Sequence, residues 1–190
     1  MAIVDDEPGM RLLLTRLFET NGIACQAFAS AEGLLDDVEN QQYAVLVVDI
    51  RLRGMSGLQL QAELNRRNMD IEIAFVSGQA TVADAICAFG NRAGAFFEKP
   101  FKNQELLESV QKLREKWIKR RTRLSAVESL LAPLSTREKE VMDALIAGKN
   151  TVQVARELNI SPSTVEKHRL KIFEKTGVDS VIQLIHMTVV

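Results

Sequence analysis

The first half of the chain alternates short apolar runs with segments of helical periodicity. Apolar residues recur at helical spacing between the runs, as at Leu58, Leu60 and Leu64. Short runs bounded by Gly, Asp or Pro are typical of strands buried on both faces of a parallel sheet. Five such βα units in succession predict an α/β fold, a doubly wound domain with a five-stranded parallel sheet and helices on both faces. The runs that predict the strands are 2–4, 23–28, 44–48, 73–76 and 95–97.

A segment without Gly or Pro, Asn103 to Ala132, follows this domain. Two interpretations are open: a fifth helix packed on the sheet and followed by a mostly solvated linker, or one long helix whose second half packs against a partner. Both interpretations depend on large or apolar residues that recur at heptad spacing, and Arg120 occupies the one heptad position that lacks such a residue. The residues at this spacing are Leu106, Val110, Leu113, Trp117, Leu124, Val127 and Leu131.

From about Leu134 the pattern is helical throughout. Residues 135–138, Ser-Thr-Arg-Glu, have the form of a capping box, in which serine and glutamate side chains bond each other's backbone N–H groups. Further on, Ser161 and Pro162 are typical of the N-cap and first position of a helix. A three-residue turn, 159–161, precedes that helix, and two helices joined in this way form a helix-turn-helix. The second half therefore predicts an all-α domain of four helices.

Composition and charge narrow the class of protein. With 46% hydrophobic and 26% charged residues, the chain is neither disordered nor collagen-like. Residues up to Lys116 carry 12 Lys and Arg against 17 Asp and Glu, whereas the remainder carries 12 against 8. A basic second half suits a polyanionic partner.

Two further features bear on where the protein is found. Cys25 and Cys87 match no C-x-x-C spacing, so we expect two small buried hydrophobes in a reducing cytosol. The longest wholly apolar run, Ala44–Val48, is far shorter than the ~18 residues of a membrane span, and no signal peptide is visible. A cytoplasmic protein without membrane association is expected.

Candidate chemistry lies at the carboxyl ends of the predicted strands. Asp5 and Asp6 follow the first strand and Asp49 follows the third. These ends are neighbours in a doubly wound sheet, so three like charges would converge, which favours a divalent cation such as Mg²⁺. Ser77 ends the fourth strand and Lys99 the fifth, which adds a hydroxyl and an ammonium. A metal, a cation and a hydroxyl around one carboxylate suit stabilisation of a transferred phosphoryl group.

Four segments at these strand ends resemble the receiver domain of two-component response regulators: Asp5–Asp6, Val47–Asp49, Ser77–Gly78 and Lys99–Phe101. The resemblance implies that Asp49 is the phosphoacceptor. It implies that Mg²⁺ is bound by Asp6, Asp49 and the backbone carbonyl of Arg51, and that Asp5 reaches the ion through water.

The resemblance also implies roles for three residues around the phosphoryl group. Lys99 would pair with its oxygens, Ser77 would swing toward it, and Phe96 would rotate inward. The Lys99–Pro100 bond is cis in this family. Arg53 stands where the family usually has proline, which predicts a looser loop after Asp49.

Three segments of the second half, 134–141, 154–158 and 163–169, resemble the LuxR/NarL-type DNA-binding domain. Together with Phe28–Glu32, the combination is most similar to the FixJ group and covers nearly the whole chain. It implies three parts: a receiver domain at 1–114, a helical linker at 115–130 and a helix-turn-helix domain at 131–190.

The expected function is that of a response regulator transcription factor. A sensor histidine kinase would phosphorylate Asp49, and the protein would then form a homodimer through the face from Thr81 to Phe97. The dimer would bind double-stranded promoter DNA and contact RNA polymerase. The protein is not expected to be an enzyme beyond intrinsic autophosphorylation and autodephosphorylation.

The helix from Ser163 to Thr176 is expected to enter the major groove. Helical spacing turns Val165, His168, Ile172 and Phe173 toward the domain core. On the outer face, Leu170 could contact a thymine methyl group and Glu166 a cytosine amino group. Lys167 would contact guanine or phosphate, and Thr164, Arg169 and Lys171 would anchor the DNA backbone. The candidate DNA-binding residues are Ser163, Thr164, Glu166, Lys167, Arg169, Leu170 and Lys171.

Other classes of protein fit less well. A haloacid-dehalogenase-type phosphatase needs a general acid two residues after its aspartate, where this chain has Arg51. A flavodoxin needs a phosphate loop after the first strand, where Asp5, Asp6 and Glu7 would repel the flavin phosphate. The helix-turn-helix disfavours a DNA-free phosphorelay module. Receiver residues in place of a ligand pocket disfavour a regulator gated by a small molecule.

Overall fold

The structure is a computed structural model, and it describes residues 1–79 and 81–188. The chain divides into two compact units, 1–119 and 120–190. The last two residues of the second unit, which also end the predicted domain 131–190, lie outside the described residues. Within the described part of the chain, no helix is both long and apolar enough to cross a membrane.

The first unit contains the predicted five-stranded sheet, and its four strand pairings are parallel. The strands are β1 Ala2–Val4, β2 Gln26–Phe28, β3 Val45–Asp49, β4 Glu72–Ser77 and β5 Ala95–Glu98. The apolar run 23–28 therefore forms a strand only over its last three residues. The strand order is β2-β1-β3-β4-β5, so the chain reverses its direction of winding between β1 and β3.

Helices cover both faces of this sheet, as the apolar pattern predicts. Because side chains alternate along a strand, β3 sends Val48 to one core with Leu34 and Leu60, and Val47 to the other with Leu14 and Leu106. The helices of the first unit are α1 Pro8–Thr20, α2 Ala31–Asp37, α3 Gly57–Arg66, α4 Val82–Gly90 and α5 Asn103–Leu131, the last of which continues into the second unit.

The heptad segment forms one continuous helix of 29 residues, α5, rather than a helix followed by a separate linker. Its buried residues end at Leu113, and Trp117 donates its indole N–H to the backbone carbonyl of Asp70 at 2.7 Å. Packing of the second half of α5 against a partner stays a prediction.

The second unit is helical, as predicted, and its sequence signals for helix ends are confirmed. Ser135 and Glu138 form the capping box, and Ser161 caps the helix that begins at Pro162. Gly177 ends that helix at φ 69°, a left-handed conformation that glycine adopts without strain. The helices are α6 Thr136–Ile146, α7 Thr151–Glu157, α8 Pro162–Thr176 and α9 Val181–Thr188.

The prediction of two buried cysteines is wrong. Cys25 is half-buried, and Cys87 is exposed on α4. The reason is that α4 turns only Ala88 fully into the core, so the apolar composition of this helix does not correspond to burial.

Candidate functional site

The sheet topology places the predicted chemical groups at one edge. Asp49 is the last residue of β3 and Ser77 the last of β4, while Asp5 and Lys99 directly follow β1 and β5. In sheets of this winding, ligands bind at the carboxyl ends of the strands where the winding reverses, and here that point lies between β1 and β3. The candidate site therefore lies where strand topology favours one.

Lys99 joins the two carboxylates on either side of that point. Its Nζ lies 2.6 Å from Asp49 Oδ2 and 2.9 Å from Asp5 Oδ2. The side chain of Asp5 is fully buried, and that of Lys99 is only 16% exposed. Two buried carboxylates so close together require a positive charge, which the ammonium supplies.

Burial and pairing shift the pKa values of these groups. Burial raises the pKa of Asp5, and the charge of Asp49 adds to that rise, while bonds from Lys99 and the Glu7 N–H oppose it. Burial alone would lower the pKa of Lys99, but its hydrogen bonds to Asp49 and Asp5 outweigh this effect and raise it. Lys99 is therefore a fixed cation at neutral pH.

The third carboxylate does not join the other two. Asp6 Oδ2 lies 3.2 Å from Arg53 Nε. Within residues 1–79 and 81–188, no three acidic, histidine or cysteine side chains are grouped so that they could hold a metal ion. The expectation that three carboxylates converge is therefore corrected, because Lys99 neutralises two of them and Arg53 pairs with the third.

The donor set still fits Mg²⁺ by its chemistry. Asp6 and Asp49 offer carboxylate oxygens and Arg51 a carbonyl oxygen, and Mg²⁺ needs few protein ligands because it keeps several waters. The pair that holds Asp6 is weak, since the Arg53 side chain is 90% exposed. A divalent cation can therefore displace Arg53 at little cost.

The loop after Asp49 is held at several points, despite the absence of proline at position 53. The Arg51 N–H donates to Asp49 Oδ1 at 2.9 Å, and the Gly57 N–H donates to the Ile50 carbonyl at 3.0 Å. A Cβ atom on Gly57 would lie 2.3 Å from the Asp49 carbonyl oxygen, so only glycine fits there. The Met55 N–H donates to Glu32 Oε1 at 2.9 Å.

Ser77 and Phe96 both lie near this edge. Ser77 is fully buried, and its hydroxyl is 3.5 Å from the Gln79 backbone nitrogen. Phe96 is half-buried, with its ring centroid 6.4 Å from that of Phe75 in the core and 6.5 Å from that of Phe89 on α4. Phe96 thus lies between the core and an exposed helix. The Lys99–Pro100 peptide bond is cis, as the resemblance implied.

A polar contact connects the loop to α4. Arg51 Nη2 lies 3.1 Å from Asp84 Oδ2, and Asp84 also forms the capping box at the start of α4 with Thr81. Beyond this cap, α4 exposes the large apolar residues Val82, Ile86 and Phe89. An apolar face in contact with water is thus anchored to the loop of the candidate site.

The second candidate site is the outer face of α8. Val165 and Ile172 are buried, Phe173 is half-buried against the core of the second unit, and His168 is half-buried. The candidate contact residues comprise two half-buried ones, Thr164 and Arg169, and five exposed ones: Ser163, Glu166, Lys167, Leu170 and Lys171. The helix therefore separates core and outer residues largely as its spacing predicts.

Several candidate contact residues of α8 already have partners. Glu166 Oε1 accepts from the Thr151 hydroxyl at 2.7 Å, and Arg169 lies 5.3 Å from the centre of the Phe173 ring. The hydroxyls of Ser163 and Thr164 are each 2.8 Å from that of Ser161. A DNA contact from any of these side chains must exchange or share an existing bond.

Sequence reasoning missed the residues that act on the loop from elsewhere in the chain. The Glu32–Met55 and Arg51–Asp84 contacts join positions 23 and 33 residues apart. In neither contact do the two residues belong to a common sequence motif. The capping boxes could have indicated that Asp84 faces the start of α4, but not that Arg51 reaches it.

Comparison with known proteins gives matches for both units. The sequence matches the family of response regulator receiver domains over residues 1–111. It matches the luxR family of bacterial regulatory proteins over residues 132–188.

Full-length relatives cover nearly the whole chain. Nodulation protein W of Bradyrhizobium diazoefficiens is 37% identical over 189 residues, which are 98% of this chain and 83% of that protein. Transcriptional regulatory protein FixJ of Rhizobium meliloti is 32% identical over 188 residues, 97% of this chain and 92% of that protein. The solved structure of response regulator StyR is 31% identical, with a TM-score of 0.67, and the match covers 98% of this chain and 96% of that one.

Proposed function

The chain belongs to the two-component response regulators that join a receiver domain to a luxR-family DNA-binding domain, and we propose that it is switched by phosphorylation of Asp49. Proteins of this kind regulate transcription and are not enzymes in the usual sense. The receiver domain implies a sensor kinase as partner, and the luxR-type domain implies binding to DNA.

The proposal that Asp49 is the phosphoacceptor rests on the position of Lys99. An ammonium 2.6 Å from a carboxylate at a strand end is placed to stabilise negative charge that arrives on that carboxylate. In the transfer, the P–N bond of a kinase phosphohistidine breaks and a P–O bond to an Asp49 oxygen forms. Lys99 then has phosphoryl oxygens as additional partners while it keeps Asp5.

Mg²⁺ is the proposed cofactor, with Asp6, Asp49 and the Arg51 carbonyl as its ligands and Asp5 reaching it through water. The ion would stabilise the charge of the phosphoryl oxygens. Arg53 pairs with Oδ2 of Asp6, so Oδ1 can serve as a ligand directly and Oδ2 can do so once Arg53 is displaced. With Mg²⁺ present, intrinsic autophosphorylation from small donors and slow autodephosphorylation are expected.

The proposed response is a change in assembly. A phosphoryl group near the buried Ser77 offers its hydroxyl a strong acceptor, and Phe96 can then rotate inward from its place beside Phe89. The shift between the two states cannot exceed the difference in the phosphoryl group's interactions with them. The face from Thr81 to Phe97, with its exposed apolar residues, would then form the homodimer.

The proposed output is recognition of double-stranded promoter DNA by α8, followed by contact with RNA polymerase in the cytoplasm. Leu170 supports a base-reading role, because it is 67% exposed on α8, where a thymine methyl group would cover it. Lys167 and Lys171 lie on the same exposed face and suit guanine or phosphate. The division into 1–114, 115–130 and 131–190 belongs to this proposal.

The experiment that tests the proposal is phosphorylation by acetyl phosphate with and without Mg²⁺, with the adduct located by mass spectrometry. We expect one phosphoryl group on Asp49, only with the metal, and none in the Asp49→Asn variant. A matched Asp36→Asn variant should be modified like the parent, since Asp36 is an exposed residue of α2. Modification that persists in Asp49→Asn, or that needs no divalent ion, would contradict the proposal.

A further inference from the structure

The loop that follows the candidate phosphoacceptor bends sharply at Gly54, whose φ of 80° lies in the left-handed region that glycine adopts without strain. The next residue along, Met55, donates its backbone N–H to a side chain from a different part of the chain, Glu32 Oε1, at 2.9 Å. This turn of the loop is therefore held by a carboxylate on α2.

Glu32 is well placed to fix this turn. It lies in the first turn of α2, between the fully buried Ala31 and Leu34, and Ser30 caps the helix. The pKa of Glu32 lies below its usual value because its carboxylate accepts backbone N–H groups, its own first and then that of Met55. The carboxylate is therefore charged at neutral pH, and Glu32, although exposed, projects from a helix whose N-terminus is capped by Ser30.

The fit between Glu32 and the turn is close. A Cβ atom on Gly54 would lie 2.8 Å from Glu32 Oε1, so the turn and the carboxylate are in direct contact. The loop is also held near each end, by the bonds from the Arg51 and Gly57 N–H groups. Glu32 thus shortens the unsupported stretch to three residues, 52–54, immediately after the Arg51 carbonyl.

We infer that Glu32 is a positioning residue for the phosphoacceptor loop, which it holds so that the Arg51 carbonyl is ready to bind a divalent cation. This inference rests on the proposed function of Asp49. Glu32 touches neither the metal nor the phosphoryl group, and it acts through the backbone of Met55.

The test measures Mg²⁺ binding to the full chain by NMR, from the amide shifts of residues 49–55, together with the rate of phosphorylation by acetyl phosphate. Outer partners that bond a metal ligand directly contribute about 10-fold to metal affinity at the lower end of the usual range. By analogy we expect a loss of about 10-fold in Glu32→Ala, transmitted from Met55 to Arg51 through the loop backbone. Glu32→Gln should behave like the parent, because its amide oxygen can still accept from Met55. Asp36→Ala is the matched acidic control on α2 and should also match the parent.

A second background separates loop positioning from a general effect of charge. Proline, which the resembled family usually has at position 53, fixes the φ of its residue, so Arg53→Pro should stiffen the loop and make Glu32→Ala harmless. Arg53→Ala removes the same guanidinium without stiffening, so Glu32→Ala should remain about 10-fold weaker there. Thermal unfolding followed by Trp117 fluorescence verifies that each variant folds.

Three results would overturn the inference: Glu32→Ala that binds Mg²⁺ like the parent, Glu32→Gln as weak as Glu32→Ala, or an equal loss in all three backgrounds. A parent chain that binds Mg²⁺ but takes no phosphoryl group at Asp49 would refute the proposed function instead. The two failures are therefore distinguishable.

Discussion

At the carboxyl edge of the sheet, the candidate functional groups are buried and bonded to one another, with Lys99 between Asp5 and Asp49. On α8 the corresponding groups point mostly to solvent, and the most apolar of them, Leu170, is 67% exposed. Buried, fixed charges suit a chemical reaction at the first site. Exposed side chains suit contact between the second site and another molecule.

This difference predicts how substitutions act. At the edge of the sheet, removal of a charge leaves another charge buried, so function and stability change together. On α8, removal of an exposed outer side chain such as Leu170 leaves the core untouched, so recognition changes while stability does not.

The largest effect is expected from Lys99→Met, which leaves Asp5 and Asp49 without their cation. Breaking a largely buried ion pair costs about 3 kcal/mol in the free energy of unfolding. The measurement is urea unfolding followed by the fluorescence of Trp117, the single tryptophan, which lies in the first unit. Lys102→Met is the control, since its pair with Glu105 is exposed and worth less than about 1 kcal/mol. Equal losses in the two variants would contradict the account.

The next effect concerns recognition by α8. Leu170→Ala and Glu166→Ala should each lose about 1–3 kcal/mol of discrimination at one base position, while Arg169→Ala should weaken binding to all sequences and flatten its salt dependence. Selection from randomised DNA at two salt concentrations checks this. If the first two variants select the parent's sequence, α8 does not read bases through them.

A smaller effect is expected from pH within the second unit. Glu138 Oε2 lies 2.6 Å from Lys175 Nζ, and this bond, with that from the Ser135 N–H, lowers the pKa of Glu138 to about 2. A lowered pKa of an acid means that the folded state releases the proton more readily than the unfolded state. Glu138 therefore stabilises the unit above its unfolded pKa of about 4.3, and this contribution is lost as pH falls toward 2.

Hydrogen exchange of the amides of α6 and α8 between pH 5 and about 2.5 checks this contribution. The parent should lose protection as pH falls, and Glu138→Gln should show a flatter profile. Glu140→Gln is the control, because Glu140 is also a glutamate on α6. Its profile should follow that of the parent. Identical profiles for the parent and Glu138→Gln would refute the role of this ion pair.

The smallest effect is expected for the contact between Arg51 and Asp84, because the Arg51 side chain is largely exposed. A double-mutant cycle of Arg51→Gln and Asp84→Asn should give a coupling energy of about 0.2–1 kcal/mol. The amide oxygen of asparagine at position 84 can still accept from the Thr81 N–H and keep the capping box, so the cycle isolates the ion pair. A coupling energy above about 2 kcal/mol would mean that this exposed ion pair is as strong as a buried one, which would contradict the difference between exposed and buried groups.

The sequence predicts the two sites for different physical reasons. Strand topology follows from buried runs such as 44–48, and topology alone brings Asp5, Asp49, Ser77 and Lys99 to one edge. On α8, helical spacing separates Val165 and Ile172 from Leu170 without knowledge of any other element. Short-range signals, above all the capping box of Ser135 and Glu138, are equally informative.

What the sequence did not predict depends on contacts between distant segments. Nothing near Asp6 indicates that it pairs with Arg53 rather than joining Asp5 and Asp49, since that choice depends on loop geometry and on the charge supplied by Lys99. The continuity of α5 was open for a similar reason. Beyond Leu113 its residues are at best half-buried, so a solvated linker and a helix share the same pattern.

Sedimentation velocity of the full chain at micromolar concentrations, with and without Mg²⁺ and beryllofluoride, a mimic of the phosphoryl group, tests directly whether phosphorylation drives assembly. We expect the mimic to lower the monomer fraction of the parent and to leave that of Asp49→Asn unchanged. An unchanged monomer fraction in the parent, or an equal decrease in Asp49→Asn, would contradict the claim that a phosphoryl group at Asp49 controls assembly.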